Sequence, residues 1–371
     1  MNKVLVVLFV AVIALPLAAT VAGRDGADPQ EENRELAVLP HVDGSWDSVR
    51  MFPGGFASWF EDHFAFRSTL VRWSAEARLF GLDAAPTPTV IKGRNGWFFY
   101  GDDGSIDDYT SSNPLTADAL ANWRAALTRA HDWLRNQRVG YVFTIAPDKY
   151  VIYPEQMPDS LNRVGAESRT DQLFKALKGS AVPAVDVRPA LLRAKAEERV
   201  YQQTDTHWND RGVLAAYQDI IAAVRMQVPA VPAAWARDDF EAESREVEGM
   251  DLAGMMGLKR VLRETDLVLV PKRPRRAQVV DPRGADETAE EGRLVTEIPG
   301  STLPRAVVFR DSFVSRLVPF LSEHFSRVVY LWQNDFDPDV VRKERPAIVI
   351  QEIVGRHLYG FIPSPELVPR P

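Results

Sequence analysis

The chain has 371 residues, 46% hydrophobic and 26% charged, a balance that excludes wholesale disorder and fits two domains or one large embellished domain. Its 44 basic against 51 acidic residues give a net charge of −7, so it has no overall attraction to phosphate backbones, and nucleic acid is not an expected partner. With no cysteine, disulfides, thiolate zinc sites, iron–sulfur clusters and cysteine nucleophiles are ruled out, and six histidines without an HExxH pair leave neither metal nor other cofactor expected.

After Lys3, the run Val4 to Ala22 carries no charge, and nineteen residues in a helix span about 28 Å, close to the hydrocarbon thickness of a bilayer. A basic start followed by such a run is a secretory signal or an uncleaved signal anchor. Pro16 before the small residues Ala18, Ala19, Ala22 and Gly23 fits cleavage; the length fits an anchor, and both readings stand. Either way the body is exported, and a periplasmic location is expected, with anchoring to the inner membrane where the leader is retained.

Residues 23–50 are polar and acidic, with Pro29, Pro40 and Gly44, and read as a tether. The aromatic-dense stretch Phe52 to Arg67 opens a main body at 51–371, with helices over 56–80. In VIKGRNGWFFY (90–100), Asn95-Gly96 between apolar runs signals a hairpin. Elements then alternate. Helical patterning covers 116–137, then a strand 141–146, a helix 168–178, a strand 183–187 and a helix 189–199; Asn209 caps a helix to about 227. Strands follow at 305–309, 327–332 and 346–350, with a helix at 313–325 between the first two. The alternation predicts an α/β fold, a sheet with helices on its faces. Residues 230–300, rich in Pro, Gly and charge, read as loops and hairpins inserted into that body.

Two short segments carry chemistry. Ser312, in VVFRDSFVSRL, falls just past an apolar strand and just before a helix, where its Oγ projects from the sheet edge toward backbone N–H groups that can hold an oxyanion. The plainer alternative is that Asp311 or Ser312 only caps the helix. In TDTHWN (204–209), extended backbone turns Asp205 and His207 to the same side. A serine nucleophile needs a base, and the base needs a carboxylate to orient it. The alternative is a loop in which Asp205 makes an Asx-turn and His207 packs beside Trp208. Together the two segments favour a triad of Asp205, His207 and Ser312.

TDTHWN followed by FRDSF resembles the AlgJ/AlgX group of SGNH-hydrolase-like alginate O-acetyltransferases. ENRELAVLP (32–40), FASWFEDHFAFR (56–67), KGRNGWFFY (92–100) and APDKYVIYPE (146–155) extend the resemblance over nearly the whole chain after the leader. Here DxH precedes Ser, as in that group, whereas the general SGNH order has Ser first and DxxH late. The chain ends soon after the catalytic region, which leaves no room for a carbohydrate-binding module and favours the AlgJ branch. The resemblance implies a parallel sheet with helices on both faces, and Ser312, His207 and Asp205 as catalytic residues. It also implies acetyl transfer to an alginate-like secreted polysaccharide, supplied by a membrane-bound O-acyltransferase. A polysaccharide esterase and a noncatalytic polysaccharide-binding assembly protein are the alternatives.

Five further residues are candidates for substrate binding. Lys149 and Tyr150 follow strand 141–146, and Arg310 and Arg356 each follow an apolar strand, where loops at a sheet's carboxyl edge line sites. Trp208, beside His207, is the tryptophan best placed to stack on a sugar. The basic run Lys272 to Arg276 suits a polyanion or, more plainly, a solvated loop.

Overall fold

A computed structural model describes residues 2–24, 36–281, 292–358 and 360–369. Pro29 of the expected tether, the opening ENRE of the 32–40 string and residues 282–291 of the expected insertion lie outside the described residues. The chain divides into two compact units, Met1–Lys92 with Glu248–Arg263, and Gly93–Val247 with Glu264–Pro371.

In the first unit, α1 (Asn2–Val21) is apolar on every side, and its side chains are exposed along its length. It is long and apolar enough to cross a membrane. Ser45 caps α2 (Trp46–His63) by accepting from Ser48 N–H, so this helix begins ahead of the aromatic run. That run stacks along the helix, Phe52 on Phe56 at 5.8 Å and Trp59 on His63 at 5.4 Å. Phe66, at φ 68°, breaks the helix before α3 (Arg67–Glu76), which continues into a π-helical turn, Ala77–Gly81. The expected helical span 56–80 is thus two helices bent at a left-handed residue. The segment ends in a short strand, β1 (Val90–Lys92).

The second unit opens on a tight turn. Asn95 and Gly96 take φ of 53° and 78°, and Gly93 N–H donates to Trp97 O at 2.8 Å, leading into β2 (Phe98–Tyr100). Among the described residues, the core of this unit is a seven-stranded sheet in the order β4-β3-β11-β9-β10-β8-β7, with β7 at Gln278–Asp281 and β8 at Arg293–Glu297. Its parallel part consists of β4 (Ala184–Val185), β3 (Gly140–Ala146), β11 (Ile348–Val354), β9 (Arg305–Arg310) and β10 (Arg327–Trp332). On one face, Tyr141, Phe143, Val307, Phe309, Val329 and Val349 pack against Trp123, Leu127, Trp133 and Leu134 of α4 (Ala117–Asn136). The alternate residues face the other way and are buried as well; Tyr330 donates from its hydroxyl to Val318 O of α8 (Val314–Leu321). A sheet buried on both faces explains why β9, β10 and β11 read as near-continuous apolar runs.

Between these lie α5 (Arg169–Leu177), started by a Ser168–Asp171 capping box, α6 (Arg188–Lys195) and α7 (Asp210–Gln227). Two differences from the sequence reading stand out. Strand β11 runs to Val354, past the expected 350, because Gln351 and Glu352 are buried strand residues whose polar ends are hydrogen-bonded to Tyr141 and to the Asp311 N–H. The 230–300 segment does supply a hairpin, β5 (Phe240–Glu248) with β6 (Arg263–Pro271), but its remainder joins the main sheet. There β8 (Arg293–Glu297) adds antiparallel to β10, and β7 (Gln278–Asp281) adds antiparallel to β8 at the edge. The sheet is therefore parallel in its body and antiparallel at one edge, where β7, four residues long and largely exposed, shows no alternation of apolar and polar positions.

Candidate active site

The parallel strands deliver three chain segments to one edge. Ser312 follows β9, Asp148 and Lys149 follow β3, and Arg356 and His357 follow β11. This is the carboxyl edge, where open α/β sheets place ligands.

The fourth contributor, the 204–209 segment, is held from several sides. Asn209 caps α7 through Arg211 N–H and Gly212 N–H, and its own N–H donates to Val200 O at 3.0 Å. Gly212 is required there: a Cβ would stand 2.3 Å from Val200 O. Trp208 is buried, donates from Nε1 to Phe313 O at 3.0 Å and meets the Phe313 ring edge-on at 5.3 Å. Buried Glu264 accepts from both the N–H and the hydroxyl of Thr204 at 2.7 and 2.8 Å, and pairs with Arg199 at 2.9 Å.

On this frame Asp205, His207 and Ser312 come together. His207 Nδ1 lies 2.7 Å from Asp205 Oδ1, and His207 Nε2 lies 2.8 Å from Ser312 Oγ. A carboxylate on Nδ1 fixes the tautomer, so Nε2 is the bare nitrogen that accepts from the serine hydroxyl. Asp205 Oδ1 also accepts the His207 N–H at 2.9 Å, an Asx-turn that holds base and carboxylate in one rigid loop. Burial opposes the charge of Asp205, but the attraction and hydrogen bonds of His207 outweigh it and hold the carboxyl below its usual range. His207 and Ser312 are half-buried, and the Phe313 ring packs on the imidazole at 4.8 Å.

Asp311 does cap the turn after β9: Oδ1 accepts from Phe313 N–H at 2.9 Å, and Oδ2 accepts from Val354 N–H at 2.6 Å, tying β9 to β11. Beneath it, burial and then the Asp311 charge push the Glu352 carboxyl well above its ordinary value. Asp311 thus holds the turn ahead of the helix, whose N-cap is Phe313 with no side-chain cap, and Ser312 is left facing His207.

The five further candidates are all buried, with their polar ends engaged by the protein. Lys149 donates from Nζ to the carbonyls of Gln202, Gln203 and Asp205 at 3.0, 3.0 and 2.6 Å. The Tyr150 hydroxyl donates to Asp108 at 3.1 Å. Arg310 donates to Asp311 O and Ser315 Oγ and stacks 4.1 Å over the Trp332 ring. Arg356 pairs with Asp148 at 2.9 Å, and the Asp148 carboxylate also accepts the Arg356 N–H at 2.7 Å. Two of the five also border open space: Tyr150 a cavity of about 340 Å³ with Asp108, Asp171 and Arg188, and Arg356 a cavity of about 810 Å³ shared with Asp102, Asp103, Asp107, Asn334 and His357. The sequence reading passed over the acidic residues of the Arg356 cavity and Glu264. The first group follows β2 as a plain polar run, and Glu264 lies in the segment read as an insertion, so neither carried a signal.

A serine hydroxyl held by an imidazole that is held in turn by a carboxylate defines a class: α/β proteins equipped for nucleophilic acyl chemistry. The family described as "SGNH hydrolase-like domain, acetyltransferase AlgX" matches residues 90–340, well over half of the chain, and the chain belongs to that family. Among curated proteins it is 28% identical over 142 residues to the probable alginate O-acetylase AlgJ of Pseudomonas syringae pv. tomato, covering 38% of this chain and 35% of that protein. The AlgJ of Pseudomonas aeruginosa is 27% identical over 148 residues, covering 38% and 36%. The matched stretch thus spans about a third of these relatives' own length. In fold, the chain is similar to PatB1 of Bacillus cereus, with a TM-score of 0.52 at 15% identity over 74% of this chain and 98% of that one. The O-acetyltransferase domain of Pseudomonas putida AlgJ gives 0.50 at 21% identity over 73% and 93%.

Proposed function

We propose that this protein is a serine-dependent O-acetyltransferase that moves acetyl groups onto hydroxyls of an alginate-like exported polysaccharide. The observation that carries the reading is the unbroken relay Asp205–His207–Ser312, with contacts of 2.7 and 2.8 Å. In the first half-reaction His207 Nε2 takes the Ser312 proton as Oγ attacks the acetyl carbonyl carbon of the donor. The tetrahedral adduct collapses, the donor's oxygen leaves with the proton from His207, and acetyl remains as a serine ester. In the second, a sugar hydroxyl gives its proton to His207 and attacks the ester; collapse returns Ser312 and releases the acetylated sugar. Asp205 supports the imidazolium in both halves.

Family membership and the AlgJ relatives support the polysaccharide as acceptor. Donor chemistry in an exported compartment requires acetyl groups passed across the membrane, and a membrane-bound O-acyltransferase is the proposed supplier. Helix α1 supports a periplasmic location with the leader retained as an inner-membrane anchor.

The test is incubation of the protein with an acetyl ester donor, with and without an oligouronate acceptor. Acetylated acceptor, lost in Ser312→Ala, is the expected result. Free acetate alone, whatever the acceptor, would make the protein an esterase, because water can resolve the same acyl-enzyme. Unchanged polymer acetylation in cells carrying Ser312→Ala would leave only a noncatalytic binding role.

A further inference from the structure

Among the described residues, every exposed Trp or Phe lies in the first unit, although the second is much the larger. On α3 and its π-turn these residues form a line. Phe66, Leu70, Trp73, Ala77 and Phe80 recur at helical spacing and are all exposed, with Trp73 at 60% and Phe80 at 63%. The opposite side of the same helix is the packed one, with Ala75 and Leu79 buried. The helix is therefore apolar on two faces and has a partner for only one of them. A contiguous aromatic stripe left in water marks an interaction surface rather than a folding accident.

The occupant is indicated by where the stripe begins. Thr20, in the last turn of α1, accepts from Ala65 N–H through its hydroxyl at 2.8 Å. Ala65 sits at the bend between α2 and α3, one residue before the stripe starts at Phe66. The end of the apolar helix and the start of the stripe are thus one place in the unit. Trp46, 79% exposed, opens α2. Arg67 and Arg78 flank the stripe, and with Leu70, Val71, Met255 and Met256 they border an open groove of about 580 Å³. Aromatic rings next to cations are the composition of segments that lie at the level of lipid headgroups.

We propose that the α3 stripe lies in the interfacial layer of the lipid bilayer, so that the first unit is laid on the membrane as well as tethered to it. The proposal rests on the reading of α1 as a retained anchor. A second copy of the chain or a membrane protein on the same stripe are the competing occupants. The bilayer is favoured because the last turn of the apolar helix α1 is hydrogen-bonded, through Thr20, to Ala65 beside the start of the stripe.

The chain has no cysteine, so single-cysteine variants of the full-length protein take one fluorophore each. Trp73→Cys and Phe80→Cys report the stripe and Ile13→Cys reports α1. Met226→Cys, at a residue 87% exposed in the second unit, reports water. Each is labelled with an environment-sensitive dye and reconstituted into vesicles of phosphatidylethanolamine and phosphatidylglycerol containing nitroxide lipid. Several-fold quenching at 73 and 80, strong quenching at 13 and none at 226 is the expected pattern. Quenching at 13 with none at 73 and 80 would overturn the interfacial stripe and leave the anchor standing, as would quenching at 226 equal to that at 73. No quenching at 13 would remove the anchor reading and this proposal with it.

Discussion

Lys149 reaches Asp205 through the main chain rather than through its carboxylate: the ammonium donates to the Asp205 carbonyl oxygen at 2.6 Å, as well as to the carbonyls of Gln202 and Gln203. The lysine thus closes the loop that carries the relay and leaves the Asp205 carboxylate free for His207. Lys149→Met keeps the aliphatic stem and strands the carbonyls of Gln202 and Asp205, while Gln203 O keeps the Phe98 N–H at 3.0 Å. Each buried group left unpaired costs about 1–3 kcal/mol, and we expect a net loss of about 3 kcal/mol in unfolding free energy. Loosening the loop by an ångström costs on the order of 100-fold in turnover. Denaturant unfolding and esterase turnover on a small acetyl ester read the two effects; a stable, fully active variant would mean that the loop holds its shape without the Lys149 ammonium.

His324 gives the second unit an acid-sensitive seam. Its Nε2 accepts from the Tyr217 hydroxyl at 2.6 Å, its Nδ1 donates to Pro232 O at 3.1 Å, and the residue is fully enclosed. Burial pushes the imidazole down to about 4, so the folded protein binds its proton less readily than the unfolded chain does. Stability from this group is present above the unfolded value near 6.5 and is lost as pH falls from there toward 4, a change of order 3 kcal/mol. Unfolding measured at pH 7.5 and at pH 4.5 should show this loss. His324→Gln should flatten that slope, whatever its effect at pH 7.5; an unchanged slope would place the acid sensitivity elsewhere.

The sheet and the meeting of its two polar segments were legible because burial on both faces writes itself as continuous apolar runs, and because TDTHWN and RDSF stand where such runs or helices begin or end. What was not legible is polar residues doing core work. Glu352 and Gln351 sit inside β11, and the pattern ended the strand at residue 350 because carboxyl and amide groups interrupt an apolar run. The same holds for Lys149, Arg310 and Arg356: a charge after a strand reads as a ligand contact, and only the fold supplies the carbonyl cage, the Trp332 ring and the Asp148 carboxylate. Strand β7 escaped for the opposite reason, since its side chains are largely exposed and no hydrophobic period marks it.

Gly212 tests how tightly the relay depends on its scaffold. A methyl group at this position would meet Val200 O at 2.3 Å and Trp208 Cβ at 3.0 Å, and neither atom is the loose end of a flexible chain. Gly212→Ala should cost about 1–3 kcal/mol of stability by overpacking, despite alanine's better helix propensity. Because Trp208 adjoins His207 and is bonded to Phe313, turnover should fall beyond what partial unfolding explains. Thermal unfolding and turnover at a temperature where the variant is fully folded separate the two; a gain in stability would mean that α7 slides to admit the methyl.

Asp205→Asn is the sharpest test of the relay, because the substitution preserves shape. Asparagine can still accept the His207 N–H, so the Asx-turn survives and the fold should hold. What disappears is the negative charge 2.7 Å from His207 Nδ1, and with it the support for the imidazolium that forms as Ser312 attacks. In serine triads the corresponding loss is about 10⁴-fold in turnover, or some 5 kcal/mol of barrier. Stability should respond to acid as well. Asp205 is held below its usual range when folded, so its contribution is present above the unfolded value near 3.9 and is lost as pH falls below it. The asparagine variant should lack that acid limb. Turnover on a small acetyl ester, with unfolding followed from pH 7 to pH 3, measures both. A folded variant with near-normal turnover would reduce Asp205 to a turn former and undo the assignment of the relay.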